Sequence, residues 1–567
     1  MRKPPGIVYG ADEAPPPGVA VLTAIQHVGV ISIFLIYPVL IAREAGSPAE
    51  TASHLVSIAL LVLGIGAALQ ALNRGPVGAG ILCGPVASAI YLVPSLLAAR
   101  QGGLPLVFGM TVFAGLIEIA LSRALRFLRP LFPPEIAGLV ILLLAVTTGA
   151  VGIRTLIGVD DPEPPGPVHG IIAALTLGTM VALNVWTRGG WRLFCVLIGM
   201  AVGYALAALL GAVGSAEREA FAAASWIGLP RFDHVGWAFD ASLALTFAVI
   251  AIAGALKTAG NVTTFQKMND ADWIRADMRS ISRGVLADGV AVTLAGALGT
   301  TGVNSGSNAV GVANATGVLS RNIGYAIAVL LFALAFFPKI GILLYLMPKA
   351  VAGSALLFAA AFIFINGLEI MTSRLLDARR TLVIGLSFLV GIAVDFYPAY
   401  FGDLPAAALP FFGSSLVLGT LAALVLNLLF RLGVRKTQKL AVDATRVDSA
   451  AIESFMEAQG AAWGARRDVI ERASFNLTQS IETIVDGCEP KGPLEVEATF
   501  DEFNLDVRVT YQGPPIELPE KRPTNEEIMD SEEGQRKLAG FMLRRYADRV
   551  AATHRVGRST ILFHFDH

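Results

Sequence analysis

Apolar and polar positions divide this chain into two regions. Up to about residue 431, apolar runs recur at about 20–42, 53–72, 77–98, 106–126, 134–151, 169–185, 192–211, 241–263, 286–299, 308–318, 322–338, 341–366, 379–397 and 410–431. These make about fourteen segments, where one helix needs roughly 20 apolar residues to cross a bilayer. Two stretches are irregular. Residues 77–98 open as GAGILCGPVASAIYLVP, where Gly and Pro interrupt the helical signal. Gly299–Gly324 reads GTTGVNSGSNAVGVANATGVLSRNIG, rich in Gly, Asn, Ser and Thr inside an apolar setting. Such backbone is tolerated at membrane depth only where protein packs it or where it lines a watery cavity. Interrupted segments, one early and one late, predict an inverted repeat whose broken helices meet near the midplane at a solute site. The expected halves are 20–211 and 241–431, seven segments each.

After about Lys439 the pattern changes. Residues 440–567 are charged and carry no spanning run, so a separate soluble domain is expected there. It reads as helix 449–486, strands 493–500 and 504–511, a turn at Gln512-Gly513-Pro514-Pro515, an acidic loop 517–533, helix 534–552 and strand 558–565. LEVEATF and LDVRVTY alternate as half-buried strands do.

Composition supports the division. Of 567 residues, 54% are hydrophobic and 15% charged, against roughly a quarter charged in soluble domains. The class implied is an all-α polytopic membrane protein with an α/β domain at its C-terminal end. A net charge of −1 gives no reason to expect a nucleic-acid partner. Cys83, Cys195 and Cys488 match no metal or disulfide spacing, and no cofactor is expected. Met1–Pro17 is a polar, proline-rich tail with no apolar core of a cleavable signal. Arg123, Arg126 and Arg129, Arg188 and Arg192, Lys267, Arg275, Arg279 and Arg283, and Arg374, Arg379 and Arg380 all fall in even-numbered loops. Arg431, Arg435, Lys436 and Lys439 follow the last segment. This bias predicts both termini in the cytoplasm.

Polar residues inside the apolar segments are the candidate site. Gln26 and His27, in AIQHVGV, serve either as a helix-to-helix hydrogen bond or as a solute contact. Lys257, in IAGALKTAGNVTTF, is costly at depth; it either pairs or faces water, or it snorkels to the interface. Asp288, in RGVLADGVAV, is its natural partner, since a well-bonded pair offsets both desolvation costs; otherwise it is an exposed helix end. Asn304, Ser305, Ser307 and Asn308 precede a short helix at 308–318 whose free N–H groups favour an anionic or carbonyl ligand; otherwise they form a polar re-entrant turn with no ligand. Ala309 follows them, and Ser88 lies in the earlier interrupted segment. Leu131-Phe132-Pro133-Pro134 is a structural helix start.

LFPPEIAGLVILLL, RGVLADGVAVTLAGALGT, SNAVGVANATGVLSRNIGY and the early Gln-His together resemble the nucleobase–ascorbate transporter family of uracil, xanthine and uric acid permeases, over about residues 18–431. The resemblance implies fourteen spans, a core domain (spans 1–4 and 8–11), a gate domain (spans 5–7 and 12–14), a homodimer and an elevator movement, usually proton-coupled in microbes. Asp288 and Thr316 keep the family pattern. Two positions depart from it: Lys257 stands where the family places Glu, three residues before Gly260, and the signature block reads Asn308-Ala309-Val310-Gly311. The swap inverts the charge of the site, so an anionic solute (urate, a deprotonated oxopurine or a small carboxylate) is expected. Lys257 titrating against Asp288 would then replace the missing proton carrier.

The C-terminal region, from IETIVDGCEPKGPLEVEATF to STILFHFDH, is similar to the GHKL ATPase fold of anti-sigma-factor kinases, over about 100 residues. Glu482 stands at its metal-holding Asn position and Tyr511 at its adenine-reading Asp; only Gly534 and Gly540 remain of the lid. That implies either a degenerate regulatory or interaction module for a cytoplasmic protein partner or a residual nucleotide sensor, rather than an ATPase. Two functions follow: a carrier of a nucleobase-like solute in the inner membrane, or a solute sensor signalling through residues 440–567.

Overall fold

The apolar segments fold as helices whose order follows the hydropathy pattern. The computed structural model describes residues 3–128, 133–158, 166–187, 190–214, 219, 221–231, 236–271, 273, 276–372, 378–405, 408–412, 414–430, 436–444, 448–463, 465, 467–488, 490–501, 504–524, 532–555 and 557–566. Leu131, Phe132 and several of the loop arginines, Arg129, Arg188 and Arg275 among them, lie outside these residues.

The first unit, Met1–Asn427, begins with α1 (Pro17–Ser32), α2 (Ile36–Glu44) and α3 (Ala49–Ala71). Strand β1 (Pro85–Ala87) leads into α4 (Ala89–Leu128), then α5 (Pro134–Ile157), α6 (Pro167–Trp186), α7 (Gly190–Leu193) and α8 (Cys195–Leu209). The second half runs α9 (Ala241–Asn269), α10 (Met278–Leu298), β2 (Val303–Ser305), α11 (Ser307–Thr316), α12 (Asn322–Ala335) and α13 (Pro338–Tyr345). It closes with α14 (Lys349–Met371), α15 (Ala378–Phe396), α16 (Pro398–Gly402), α17 (Leu409–Phe412) and α18 (Ser415–Phe430).

Among the described residues, eight helices are long and apolar enough to cross a bilayer, or nine if α12 and α13, bent by 77°, count as one. Expected segments three and four are continuous as α4, but the helix breaks at Gly102–Gly103. Gly103 sits at φ 66°, ψ −163°, a region that essentially only glycine occupies. Helix α10 starts earlier than the expected 286. Asp277 caps it, accepting from the Arg279 N–H at 2.9 Å, and an apolar count cannot see a charged first turn.

The interrupted segments meet. Strands β1 and β2 pair antiparallel, with Pro85 opposite Ser305 and Ala87 opposite Val303. Each strand runs directly into a helix start, α4 at Ala89 and α11 at Ser307. The pairing satisfies main-chain groups that an unwound segment would leave bare in an apolar interior.

Helices α1–α4 pack with α9–α13, and α5, α6 and α8 pack with α14. Small residues set both groupings. A Cβ at Gly138 would lie 2.4 Å from Met371 N, and one at Gly353 would lie 2.6 Å from Leu156 N, so α5 and α14 touch backbone to backbone. Gly296 and Gly289 bring α10 equally close to Val112 and Ile119 of α4. Close approach through small residues is the usual basis of helix association in lipid. The N-terminal tail is strapped down: Val8 N donates to Gly317 O (2.7 Å), Leu319 N to Tyr9 O (2.8 Å) and Arg321 N to Ala11 O (3.1 Å).

The second unit, Leu428–His567, is a five-stranded antiparallel sheet with helices. Its elements are β3 (Lys436–Val442), α19 (Ser449–Trp463), α20 (Arg467–Cys488), β4 (Leu494–Phe500), β5 (Asn504–Gln512), α21 (Glu532–Tyr546), β6 (Arg549–Arg555) and β7 (Arg558–Asp566). The strand order is β3-β4-β5-β7-β6. The expected helix 449–486 is two helices, and the expected helix 534–552 ends at Tyr546. Its last residues, with neighbours, form edge strand β6, which is largely exposed on both faces and so lacks the apolar alternation that marks a half-buried strand. The core includes Leu477, Ile481, Val496, Val507, Phe563 and Phe565.

Candidate functional site

The β1–β2 crossing places polar side chains against α9 and α10. Thr258 on α9 donates to the Asp288 carboxylate on α10 (2.7 Å) and bonds the Ser305 hydroxyl (2.8 Å). Asn261, one turn further along α9, donates to Ser305 Oγ (2.9 Å) and to Ser305 O (3.2 Å). Ser307 Oγ donates to Asn261 Oδ1 (3.1 Å). Asn304 donates to the same Asp288 oxygen and, at 3.2 Å, to Gly254 O. Because Thr258 spends its proton on Asp288, Ser305 donates to Thr258 and Asn261 donates to Ser305. The donors therefore all run toward the carboxylate, which is 2% exposed. A buried charge is tolerated when it is bonded in this way.

Beside this network lies a cavity of about 680 Å³ between the two helix groups. Gln26, Ala89, Ile90, Lys257, Gly306 and Ser307 line one side, and Asn184, Arg192, Cys195, Phe358, Phe362 and Asn366 the other. The first turns of α4 and α11 thus open onto one space, and the positive ends of their dipoles converge on it. Two cations, Lys257 and Arg192, reach the wall, while no carboxylate does among the described residues.

The predicted residues separate into two sets. Gln26, Lys257 and Ser307 are on the wall. His27, Ser88, Asn304, Ala309 and Asp288 are buried behind it. His27 Nδ1 bonds Thr23 O (2.9 Å) within its own helix. Ser88 N donates to Gly302 O (3.1 Å), and Ser88 Oγ accepts from Ile90 N (3.3 Å), so this serine shapes the helix start. Asn308 opens α11, and its side chain lies outside the described residues. Lys257 and Asp288 feel each other's charge, while the hydrogen-bond donors on Asp288 among the described residues are Thr258, Asn304 and the Ser305 main chain. Lys257 is only half-buried and faces the cavity. Its neighbour Thr258 is one residue, about 100° of helical turn, further round α9, and that residue takes the carboxylate instead.

Sequence reasoning missed Arg192, Asn184, Asn366 and Glu118. Arg192 reads as a loop charge in TRGGWR. The lone amides in ALNVW and FINGL carried a usable signal, since polar residues inside apolar helices mark solute paths. Glu118 is fully buried on α4.

The family model described as "Permease family" matches residues 18–400, wholly within the first unit. Xanthine permease XanQ of Escherichia coli (strain K12) is 27% identical over 451 residues, covering 76% of this chain and 96% of the relative. Uric acid permease PucJ of Bacillus subtilis (strain 168) is 26% identical over 423 residues, covering 73% and 93%. Among solved structures, murine Slc26a9 aligns with a TM-score of 0.47 at 13% identity, covering 76% of this chain and 71% of that one. The transmembrane domain of the cyanobacterium bicarbonate transporter BicA aligns with a TM-score of 0.44 at 14% identity, covering 72% and 96%. With most of its length in that family match, and with multiple apolar helices around an internal cavity, this chain belongs to the xanthine and uric acid permease family: it is a multi-pass membrane transporter of a small molecule, not an enzyme.

Proposed function

We propose that the chain carries a purine-like nucleobase in anionic form, xanthine- or urate-like, across the inner (plasma) membrane with both termini in the cytoplasm. The carrying observation is the cavity wall, which presents Lys257 and Arg192 with no carboxylate among its described residues. An oxopurine that has lost a ring proton brings a delocalised negative charge and carbonyl oxygens. The ammonium, the guanidinium and the N–H groups at the starts of α4 and α11 are all donors suited to it. Gln26, Asn184 and Asn366 supply both donors and acceptors for ring edges. The cavity volume is within the roughly 300–1,000 Å³ common for small-molecule sites. The names of the relatives, xanthine and uric acid permeases, support the same class of solute.

The cavity lies between two helix groups held internally by glycine contacts, which supports an elevator-type movement of one group against the other, in a homodimer. The second unit acts as an interaction module for a cytoplasmic protein. Tyr511, where the resemblance would place an adenine-reading Asp, is packed into the core with its hydroxyl on Pro514 O at 2.9 Å.

Full-length protein in proteoliposomes decides between readings. Net uptake of labelled xanthine or urate, competed by anionic and not by neutral analogues, is expected. Uracil uptake equal to urate uptake overturns the anionic reading. Saturable binding without flux turns the carrier into a sensor, the alternative that a folded C-terminal unit with its own core favours.

A further inference from the structure

Among the described residues of the first unit, Glu118 is an acid whose surroundings fail to account for it. It is 0% exposed, and neither carboxylate oxygen has a hydrogen-bond donor among the described residues. It is held there by packing. A Cβ at Gly289 would lie 2.8 Å from Ile119 N and 3.1 Å from Glu118 C, so α4 and α10 cross with their backbones in contact at this residue. Asp288 is the residue before Gly289, and the two carboxyl groups face each other within hydrogen-bonding reach. A Cβ at Gly254 would lie 3.4 Å from Glu118 Oε1 and 3.2 Å from Asn304 Nδ2, which places the acid at the edge of the Asn304 network.

Two carboxylates offer only acceptors to one another. Facing each other in a dry crossing they repel, and the arrangement is stable only if a proton bridges them. We propose that Glu118 and Asp288 share one exchangeable proton and form the proton-binding site of the carrier, a role that rests on the transport reading above. Glu118 then supplies from α4 the acid that Lys257 displaces from α9.

The other titratable groups around the pair are Tyr91, on the first half of α4, Lys257 on α9 and Cys83 beside β1. Tyr91 is fully buried with its hydroxyl unpartnered, its ring against Gly302. The charges balance when the pair is loaded: Lys257 contributes +1 and the proton-sharing pair −1. Losing the proton leaves two carboxylates and a net −1. The bonded chain Ser307–Asn261–Ser305–Thr258–Asp288 joins this pair to the cavity wall, so solute occupancy is felt at the acids through contiguous hydrogen bonds.

The test uses full-length protein in lipid. Infrared difference spectra of wild type minus Glu118→Gln or Asp288→Asn, at neutral pH, report whether a protonated carboxyl or an ionised carboxylate is removed. The expected result is loss of a protonated-carboxyl C=O band in Glu118→Gln and its retention in Glu118→Asp. Loss of carboxylate bands alone overturns the proposal. This arm needs no solute, so it reads the pair even if no nucleobase is carried. In the transport arm, pH-gradient-driven accumulation falls about tenfold or more in Glu118→Gln, which is about 1.4 kcal/mol or more of lost coupling. Solute-for-solute exchange, which moves no net proton, falls far less, and Glu118→Asp recovers the accumulation. Equal losses in both assays, or accumulation unchanged in Glu118→Gln, overturn the proposal.

Discussion

Replacing Lys257 by Gln isolates the charge of the cavity wall while keeping a donor of similar reach. The ammonium lines the cavity, and the hydrogen bond from α9 to Asp288 comes from Thr258 instead. An anion held at about 4 Å from it gains about 4 kcal/mol of Coulomb energy at an effective dielectric near 20. Part of that is offset, because both charges lose water when they meet. Arg192 is exposed and remains as a second, screened cation. The net loss for an anionic solute should be about 2–3 kcal/mol, a rise in Kd of roughly 30- to 150-fold. A neutral analogue loses at most a hydrogen-bond difference of about 0.5–1.5 kcal/mol, roughly tenfold or less. The assay is equilibrium binding to detergent-purified protein, urate against a neutral purine, in wild type and Lys257→Gln. The diagnostic quantity is the ratio of the two affinity changes, since a general loosening of the site weakens both solutes alike. Equal shifts for the anion and the neutral compound refute the charge argument. So does an anion that binds the variant as tightly as it binds the wild type.

Three further perturbations test the frame around the site. The buried Glu135 forms an ion pair with the half-buried Arg380 at 3.0 Å. Arg380→Met strands the carboxylate and should destabilise by about 3–5 kcal/mol, read as a lowered thermal midpoint in detergent that Glu135→Gln in the same chain restores. Gly103→Ala forces a side chain into backbone at φ 66°, ψ −163°; a cost of about 1–3 kcal/mol is expected, while Gly166→Ala, where a Cβ meets nothing within 4 Å, changes little. In the second unit, hydrogen bonds from Asp506 and then Asp566 lift His564 from its usual 6.5 to about 9. A raised folded-state value means the stabilisation is complete below pH 6.5 and is lost as pH rises through about 9. Hydrogen-exchange protection of 504–512 and 558–566, corrected for intrinsic rates, should fall across that window in wild type and lose that dependence in His564→Gln.

The sequence exposed what depends on periodicity and hid what depends on packing. Segment order, the two interrupted stretches and the charged C-terminal region were legible, because membrane burial forces long apolar runs and penalises Gly-Asn-Ser clusters inside them. Lys257 was legible as an anomaly for the same reason. Its partner was not: whether residue 257 or residue 258 faces Asp288 depends on the rotation of α9, which a hydropathy pattern of weak amphipathicity leaves unset. Edge strand β6 was hidden because both its faces are exposed and no alternation survives. Glu118 was hidden most deeply. In LIEIALSRALRF it reads as an ordinary acid near the arginine-rich end of a span. Only the missing side chain of Gly289, which lets α10 press against the Ile119 backbone, turns that acid inward onto Asp288. A larger residue at 289 would hold the helices apart and let water reach both carboxylates, and the reason for them to share a proton would disappear. Gly289→Ala is therefore a structural change with a chemical readout. Overpacking should cost about 1–3 kcal/mol of stability, and the protonated-carboxyl band of Glu118 should weaken even though neither acid has been altered. A destabilised Gly289→Ala protein that keeps the band at full strength would show that helix proximity does not control the proton.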